Sequence, residues 1–236
     1  MRIISWNCNG AFRKKFKSIE ILNADIYIIQ ECENPAVTED IEYKRFADNH
    51  LWIGYKNKGL GIFAKDSIAL IDNHWETFGL EWFISCTVNG NLTLLGIWGS
   101  GNYIEDIYVY LQIHKEKLKN ISNVLLGGDF NSNSCWDKEH KRRTHSAVVK
   151  QLGDMGLNSC YHEIANEVQG QESQPTFYLY RNKEKFYHID YFFYDTDKLK
   201  TIEVGNFDDW ISLSDHMPIV LDIDDLLTES KKRTNY

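Results

Sequence analysis

The chain has only three prolines and three methionines, and its five cysteines, Cys8, Cys32, Cys86, Cys135 and Cys160, form no C-x-x-C pair or His/Cys cluster of zinc spacing. With so little proline, and no Pro/Ser-rich tract, internal repeat or low-complexity segment, nothing reads as a linker between domains. An odd, scattered cysteine set argues against a disulfide framework and a structural zinc site, and fits a reducing compartment with buried thiols. Long hydrophobic runs are missing as well: no stretch approaches the ~18 uninterrupted apolar residues of a membrane span. Met1 to Gly10, MRIISWNCNG, lacks the apolar core and small-residue cleavage site of a signal peptide. The expectation is a cytoplasmic protein with no membrane partner. Basic charge is in deficit, with 26 Lys+Arg against 34 Asp+Glu for a net −8. That balance argues against a protein that grips nucleic acid through bulk positive charge. It leaves open an enzyme that reaches phosphates through a metal ion.

What is present suits one folded domain. The 236 residues are 43% hydrophobic and 14% aromatic, enough to bury a sizeable core. Apolar runs of strand length recur at residues 3–6, 25–30, 59–64, 80–88, 92–98, 124–128, 189–194 and 218–223. Their β-branched and aromatic content favours strands. Ile104, Ile107, Leu111, Leu118 and Ile121 share one helical face, and a second helical pattern through Val148, Leu152 and Met155 stops at Gly156. The short turn Asn89-Gly90-Asn91 joins two strands as a hairpin, so the sheets are expected to be mixed. The domain is placed at residues 1–228, with residues 229–236, including Lys231, Lys232 and Arg233, as a frayed basic tail.

Oxygen-bearing side chains collect at the strand ends. Residues 3–6 run into Asn7, Cys8 and Asn9; residues 26–29 run into Gln30 and Glu31; residues 124–128 run into Asp129, Phe130 and Asn131. Later, His188 and Asp190 open a strand, and Ser214-Asp215-His216 precedes the last one. Layered α/β folds bind ligands at the loops beyond strand ends, where distant residues converge. Singly these signals are weak. Asp129 after two glycines is equally a turn residue, Glu31 a solvated rim charge, and Asp215 beside His216 a chance loop pair.

Their order is more telling. WNxNG, IxxxQE, GGDFN, HIDYFF and SDHMPIV follow one another, and together the chain resembles the endonuclease/exonuclease/phosphatase superfamily across residues 1–223. The segment from Trp136 through His145 and His162, with Glu172 and Pro175-Thr176, resembles a bacterial branch of it. The resemblance implies a four-layer α/β sandwich: two mixed β-sheets packed face to face, helices outside, and the active site at one end.

It also implies a Mg²⁺-dependent phosphodiester hydrolase, most simply a nuclease, with Mn²⁺ as the alternative ion. Oxygen-only ligands suit such hard cations. Glu31 is then the principal metal ligand, with Asn7 and Asp215 in its shell. Asp129 orients and deprotonates the attacking water, Asn131 places an amide against it or a phosphate oxygen, and His216, paired with Asp190, faces the scissile phosphate. Asn9, Trp98, Arg142, Arg143, His145 and His188 are assigned to substrate binding. Lys138 to Lys150 is the densest basic run; it reads as a phosphate-tracking arm or as the solvated start of a helix. Trp136, Tyr178 and Tyr187 are candidates to stack unpaired bases, Tyr178 being assigned rather to the core.

Two positions depart from the superfamily pattern. Trp98 stands where many of its nucleases have Tyr or His, and Trp cannot protonate a leaving group, so His145 is a candidate acid. Cys32-Glu33 follows Glu31, without the Lys that abasic-site enzymes commonly carry two residues on. The alternatives are a phosphatase or phosphodiesterase on a small inositol-phosphate or lipid substrate, and a binding module that kept the fold but lost the chemistry. Specificity is expected from the chain's own loops or a separate partner protein.

Overall fold

The computed structural model describes residues 1–224. In chain order the elements are β1 (Arg2–Asn7), α1 (Phe16–Glu20), β2 (Ile26–Cys32), α2 (Ile41–Phe46), β3 (His50–Tyr55), β4 (Lys58–Ala64), β5 (Leu70–Asp72), β6 (Phe83–Val88) and β7 (Leu92–Trp98). There follow α3 (Ile104–Lys119), β8 (Val124–Asp129), α4 (His145–Gly153), β9 (Asn158–Ser159), α5 (Cys160–Ala165), β10 (Phe177–Tyr178), β11 (Phe186–Tyr187), β12 (Asp190–Tyr194), β13 (Leu199–Val204), α6 (Phe207–Trp210) and β14 (Ile219–Ile223). One six-stranded sheet runs β13-β14-β1-β2-β4-β3 and the other β5-β6-β7-β8-β12-β9. Each has one parallel pair, β1/β2 and β7/β8, in otherwise antiparallel surroundings.

Period-two alternation sorts the side chains into layers. Ile3, Ile26, Ile28, Leu60, Ile62, Ile219, Leu221 and Ile223 of the first sheet pack with Ile84, Cys86, Leu94, Leu125, Phe192 and Tyr194 of the second in the core between them. The alternate residues of the first sheet, Ile4, Trp6, Tyr27, Ile29 and Phe63, pack outward on Phe12, Phe16, Tyr43 and Trp210 around α1, α2 and α6. Those of the second, Leu95, Ile97, Leu126, Tyr191 and Phe193, pack on Ile104, Ile107, Leu111, Val148 and Leu152 of α3 and α4. The result is the expected helix–sheet–sheet–helix sandwich. At Gly127 a Cβ would run into the Phe192 ring and lie 3.0 Å from Ile28 Cδ1, so the two sheets close over that glycine.

The helices carry their own signals. In α3 the stripe Ile104, Ile107, Leu111 and Leu118 is buried, Glu105 and Asp106 lie in the first turn, and Lys117 and Lys119 in the last, favourable to the helix dipole. Thr144 caps α4 by accepting from Ala147 N–H at 3.0 Å. No helix among the described residues is long and apolar enough to cross a membrane.

Some elements differ from the sequence reading. The strand expected from residue 80 begins at Phe83, because Trp82 has a left-handed φ of 69°. β13 has no counterpart among the apolar runs: Lys200, Thr201 and Glu203 give it the polar face of an edge strand. The basic tail at 229–236 and the last four residues of the expected domain lie outside the described residues.

Candidate active site

The inward rows of both sheets end in polar side chains at the same end of the sandwich. In β1 the row Ile3, Ser5 ends at Asn7; in β8 the row Leu125, Gly127 ends at Asp129. Across the second sheet Trp98 pairs with Asp129 and Asp129 with Asp190, forming one lateral row. In the first sheet Asn7 pairs with Gln30, and Gln30 Nε2 donates to Ser5 Oγ at 3.1 Å. A polar layer therefore separates the site from the apolar core.

Asp129 is fully buried. Its Oδ2 accepts from Asn7 Nδ2 at 2.9 Å and Asn131 Nδ2 at 2.8 Å, and its Oδ1 from the Asn131 backbone N–H at 2.8 Å. Asn131 reaches back because its backbone is left-handed, φ 46°, a conformation Asn tolerates. Burial pushes the Asp129 carboxyl up, and the charge of Asp190 adds to this, while His216 and the amide donors oppose it.

His216 Nδ1 lies 3.0 Å from Asp190 Oδ2. The backbone around it is fixed: His216 N–H donates to Ser214 Oγ at 3.0 Å, Ser214 O–H to Asn7 O at 2.7 Å, and Trp6 Nε1 to His216 O at 2.9 Å. Burial alone would pull the imidazole down, but Asp190 and Asp129 outweigh it and raise the group to about 9. Asp190 is held by its own N–H on Thr176 Oγ1 at 3.1 Å, and its Oδ1 has no hydrogen-bond partner among the described residues. Asp129, Asp190 and His216 each offer a ligand atom within 4.8 Å of the others. With Asp129 taken by two amides and Asp190 by the imidazole, this trio is arranged for proton handling.

Glu31 sits where the β2/β4 register shifts, between Gln30 and Cys32, with φ 63°. Bulges of this kind re-aim a side chain. Its Oε2 lies 2.8 Å from Lys58 Nζ. On the other side, Asn9 Nδ2 donates to Asp215 Oδ1 at 2.6 Å and Asn9 N–H to Asn7 Oδ1 at 3.0 Å, while Cys8 N–H donates to Gln30 O at 3.1 Å. The Asn7–Asn9 loop thus links Asp215 to the strand that carries Glu31.

A profile of the endonuclease/exonuclease/phosphatase family matches residues 4–216. The chain belongs to this family. It is an enzyme that hydrolyses phosphoester bonds. Among solved structures it is similar to the 3′ phosphatase NExo from Neisseria bound to a product DNA hairpin, with TM-score 0.71 and 17% identity over 95% of this chain and 99% of that one. The 3′–5′ exonuclease NExo from Neisseria meningitidis gives 0.69 and 19% over 95% and 100%. An AP endonuclease from Archaeoglobus fulgidus gives 0.66 and 16% over 95% and 100%. A search of curated proteins finds no match.

Within this family member, Asn7, Asp129, Asn131, Asp190 and His216 come together directly, and Asn9 with Asp215 forms the adjoining pair. Both ends of the Asn7 amide are occupied, by Asp129 and by the Asn9 backbone. Trp98 is nearly buried against Trp82, ring centroids 4.9 Å apart. His145 and His188 are placed otherwise than a substrate surface requires. His145 is fully buried, its Nε2 3.1 Å from Gln169 Oε1, its ring 5.0 Å from Tyr191, and burial lowers it to about 4. His188 is also buried, with Nδ1 2.7 Å from Gln174 O. Both belong to a packed layer behind the site, together with His162, Glu172 and Asn133. Arg142 and Arg143 line a surface cleft with Glu105, Glu139 and Lys141. Tyr178 is buried, as assigned, while Trp136 and Tyr187 pack on each other at 4.7 Å.

Sequence reasoning missed Lys58, Thr176 and Ser214 as parts of the site. Ser214 was visible within SDHMP. Lys58 had no local signal, since it reaches Glu31 from another strand.

Proposed function

We propose that the chain is a divalent-metal-dependent nuclease, with DNA as the substrate to test first. The observation that carries this reading is the buried arrangement of Asp129, held by two Asn amides, beside His216, held by Asp190. A general base and a cationic imidazole whose polar atoms lie within 4.8 Å of one another are what attack by water on a phosphodiester requires. The NExo structure with a product DNA hairpin supports the choice of DNA.

The residues present fit a hard cation. Glu31 already holds the Lys58 ammonium at 2.8 Å, which stands where a cation would be held, and the two further residues assigned to the ion, Asn7 and Asp215, also offer oxygen donors. Glu31 would be the principal ligand, with Asp215 and Asn7 around it; bound there, Mg²⁺ or Mn²⁺ supplies Lewis-acid polarisation of the phosphate. Asp129 takes the proton of the attacking water, which Asn131 orients. Asp190 engages His216 Nδ1, so Nε2 is the ring nitrogen that meets the phosphate as its charge builds. Arg142 and Arg143 contact the backbone of the nucleic acid away from the reacting group.

The test is a substrate panel with Mg²⁺ or Mn²⁺: single-stranded DNA, duplex DNA with a 3′ phosphate, RNA, an inositol polyphosphate and a generic bis-phosphodiester, alongside His216→Ala. Metal-dependent cleavage of DNA that is lost in His216→Ala is the expected result. Turnover of the inositol polyphosphate alone would overturn the nuclease reading, and turnover that is independent of added metal would overturn its metal dependence.

A further inference from the structure

Lys58 opens β4 directly after the hairpin turn, paired with Tyr55 of β3. Next to it, Gly59 pairs with Cys32, immediately after the bulge that turns Glu31 aside. The ammonium consequently lies 2.8 Å from Glu31 Oε2 and 5.4 Å from the Trp98 ring centroid. Trp98 in turn pairs with Asp129 across β7 and β8. One flexible cation thus reaches both the carboxylate assigned to the metal and the aromatic face beside the general base. Its side chain is 54% exposed, whereas that of Glu31 is 20% exposed, so the ammonium can leave while the carboxylate stays.

Two sequence departures converge here. The position two residues after Glu31 is Glu33, which is paired with Arg13 and is itself an anion. Trp98 has no group that can protonate or strongly polarise a phosphate oxygen. A lysine from a different strand lies instead against Glu31 and the Trp98 ring.

We propose that Lys58 is a substrate-positioning residue of the phosphoester hydrolysis: it neutralises Glu31 until a divalent ion takes that carboxylate, then turns from Glu31, still over Trp98, to hold a non-bridging oxygen of the substrate phosphate. The proposal rests on the reading of Glu31 as a metal ligand. An indole face stabilises an ammonium partly removed from water, giving the released cation a resting place close to the reacting group. A lysine suits this role because its ammonium is a compact charge on a four-carbon stem.

The test is calorimetric titration of the metal-free protein with Mn²⁺, for wild type, Lys58→Met, Lys58→Arg and Glu31→Gln, together with steady-state kinetics on a DNA oligonucleotide at saturating Mn²⁺. Removing a competing, partly exposed ion pair should tighten Mn²⁺ binding by about three- to fivefold in Lys58→Met. Loss of a charged contact to phosphate should lower kcat/KM in the same variant by about tenfold, with Lys58→Arg recovering most of it. A merely structural defect would weaken both properties. Mn²⁺ binding that is unchanged or weaker in Lys58→Met, or an undiminished kcat/KM, overturns the role of Lys58 alone. If wild type takes up no Mn²⁺, or Glu31→Gln binds it as wild type does, the metal reading of Glu31 fails, and this proposal falls with it.

Discussion

Asn7 and Asp129 stand on different sheets, 122 positions apart in sequence, and one hydrogen bond of 2.9 Å joins them. Asp129, the proposed general base, is therefore oriented by the opposite half of the sandwich. Asp129→Asn preserves size but removes the proton acceptor and puts an amide against the Asn7 amide. The expected outcome is a fall in kcat of about 10²–10⁴-fold with the far-ultraviolet circular dichroism unchanged. Retention of more than about a tenth of wild-type kcat would show that Asp129 is not the base.

Asp190 lies 3.0 Å from His216 Nδ1, and its proposed role is exercised through that imidazole. Asp190→Asn should retain the fold and lose about 10²-fold or more in kcat, because the imidazole loses the carboxylate that raises it and fixes its orientation. His216→Ala should lose at least as much, and the double variant little more than the worse single one, since the two act as a unit. The check is a kinetic double-mutant cycle; additive losses would show that the pair is not coupled.

The layer behind the site should make stability sensitive to acid. Burial opposes ionisation of Glu172, but hydrogen bonds from His162, the Gly170 N–H and Asn133 overrule it and hold the carboxyl at about 2, below the ordinary value of 4.5. A depressed carboxyl stabilises the fold above its unfolded pKa and loses that contribution as pH falls from about 4.5 toward 2. His145, lowered by burial from 6.5 to about 4, works in the same direction at higher pH: the unfolded chain takes up a proton there that the folded chain refuses. The buried Asp129 carboxyl, raised to about 7, works the other way over part of this range, so the readable outcome is a difference in urea midpoints: Glu172→Gln should be less stable than wild type near neutrality, with the gap closing as pH falls from about 4.5 toward 2. Parallel pH profiles for the two proteins would refute this account.

Gly127 tests the fit of the sheets. A methyl there meets the Phe192 ring from its own sheet and Ile28 Cδ1, 3.0 Å away, from the other. Gly127→Ala is expected to cost about 1–3 kcal/mol by overpacking, a drop in melting temperature of roughly 2–4 °C per kcal/mol for a domain of this size. An unchanged melting temperature would mean that the sheets separate readily at this point.

Most strands were legible because the central ones are buried on both faces and read as continuous apolar runs, as in residues 92–98 and 124–128; the four-layer sandwich itself followed only from the family resemblance. β13 was obscured by the polar outer face of an edge strand, and Trp82 by a left-handed backbone within an apolar run. At the site, Asp129 and His216 could be read from their local motifs. The burial of His145 and His188 could not, because histidine in a loop sequence carries no sign of which layer will cover it. Lys58 was hidden for a different reason: its meeting with Glu31 depends on the register of two strands and on a bulge.

The division of the machinery between the sheets makes catalysis a reporter of assembly. Of the proposed site residues, Asn7, Glu31 and His216 flank one sheet and Asp129 and Asp190 end strands of the other; the stretch 70–194 that forms the second sheet lacks the first three, and the first sheet needs strands from both ends of the described chain. A chain cut in the loop between β7 and α3 would be silent as two pieces and regain turnover only on their reunion. Because each piece carries strands of both sheets, activity in such a mixture would count the chains in which β14 has rejoined β1 and β8 has rejoined β7.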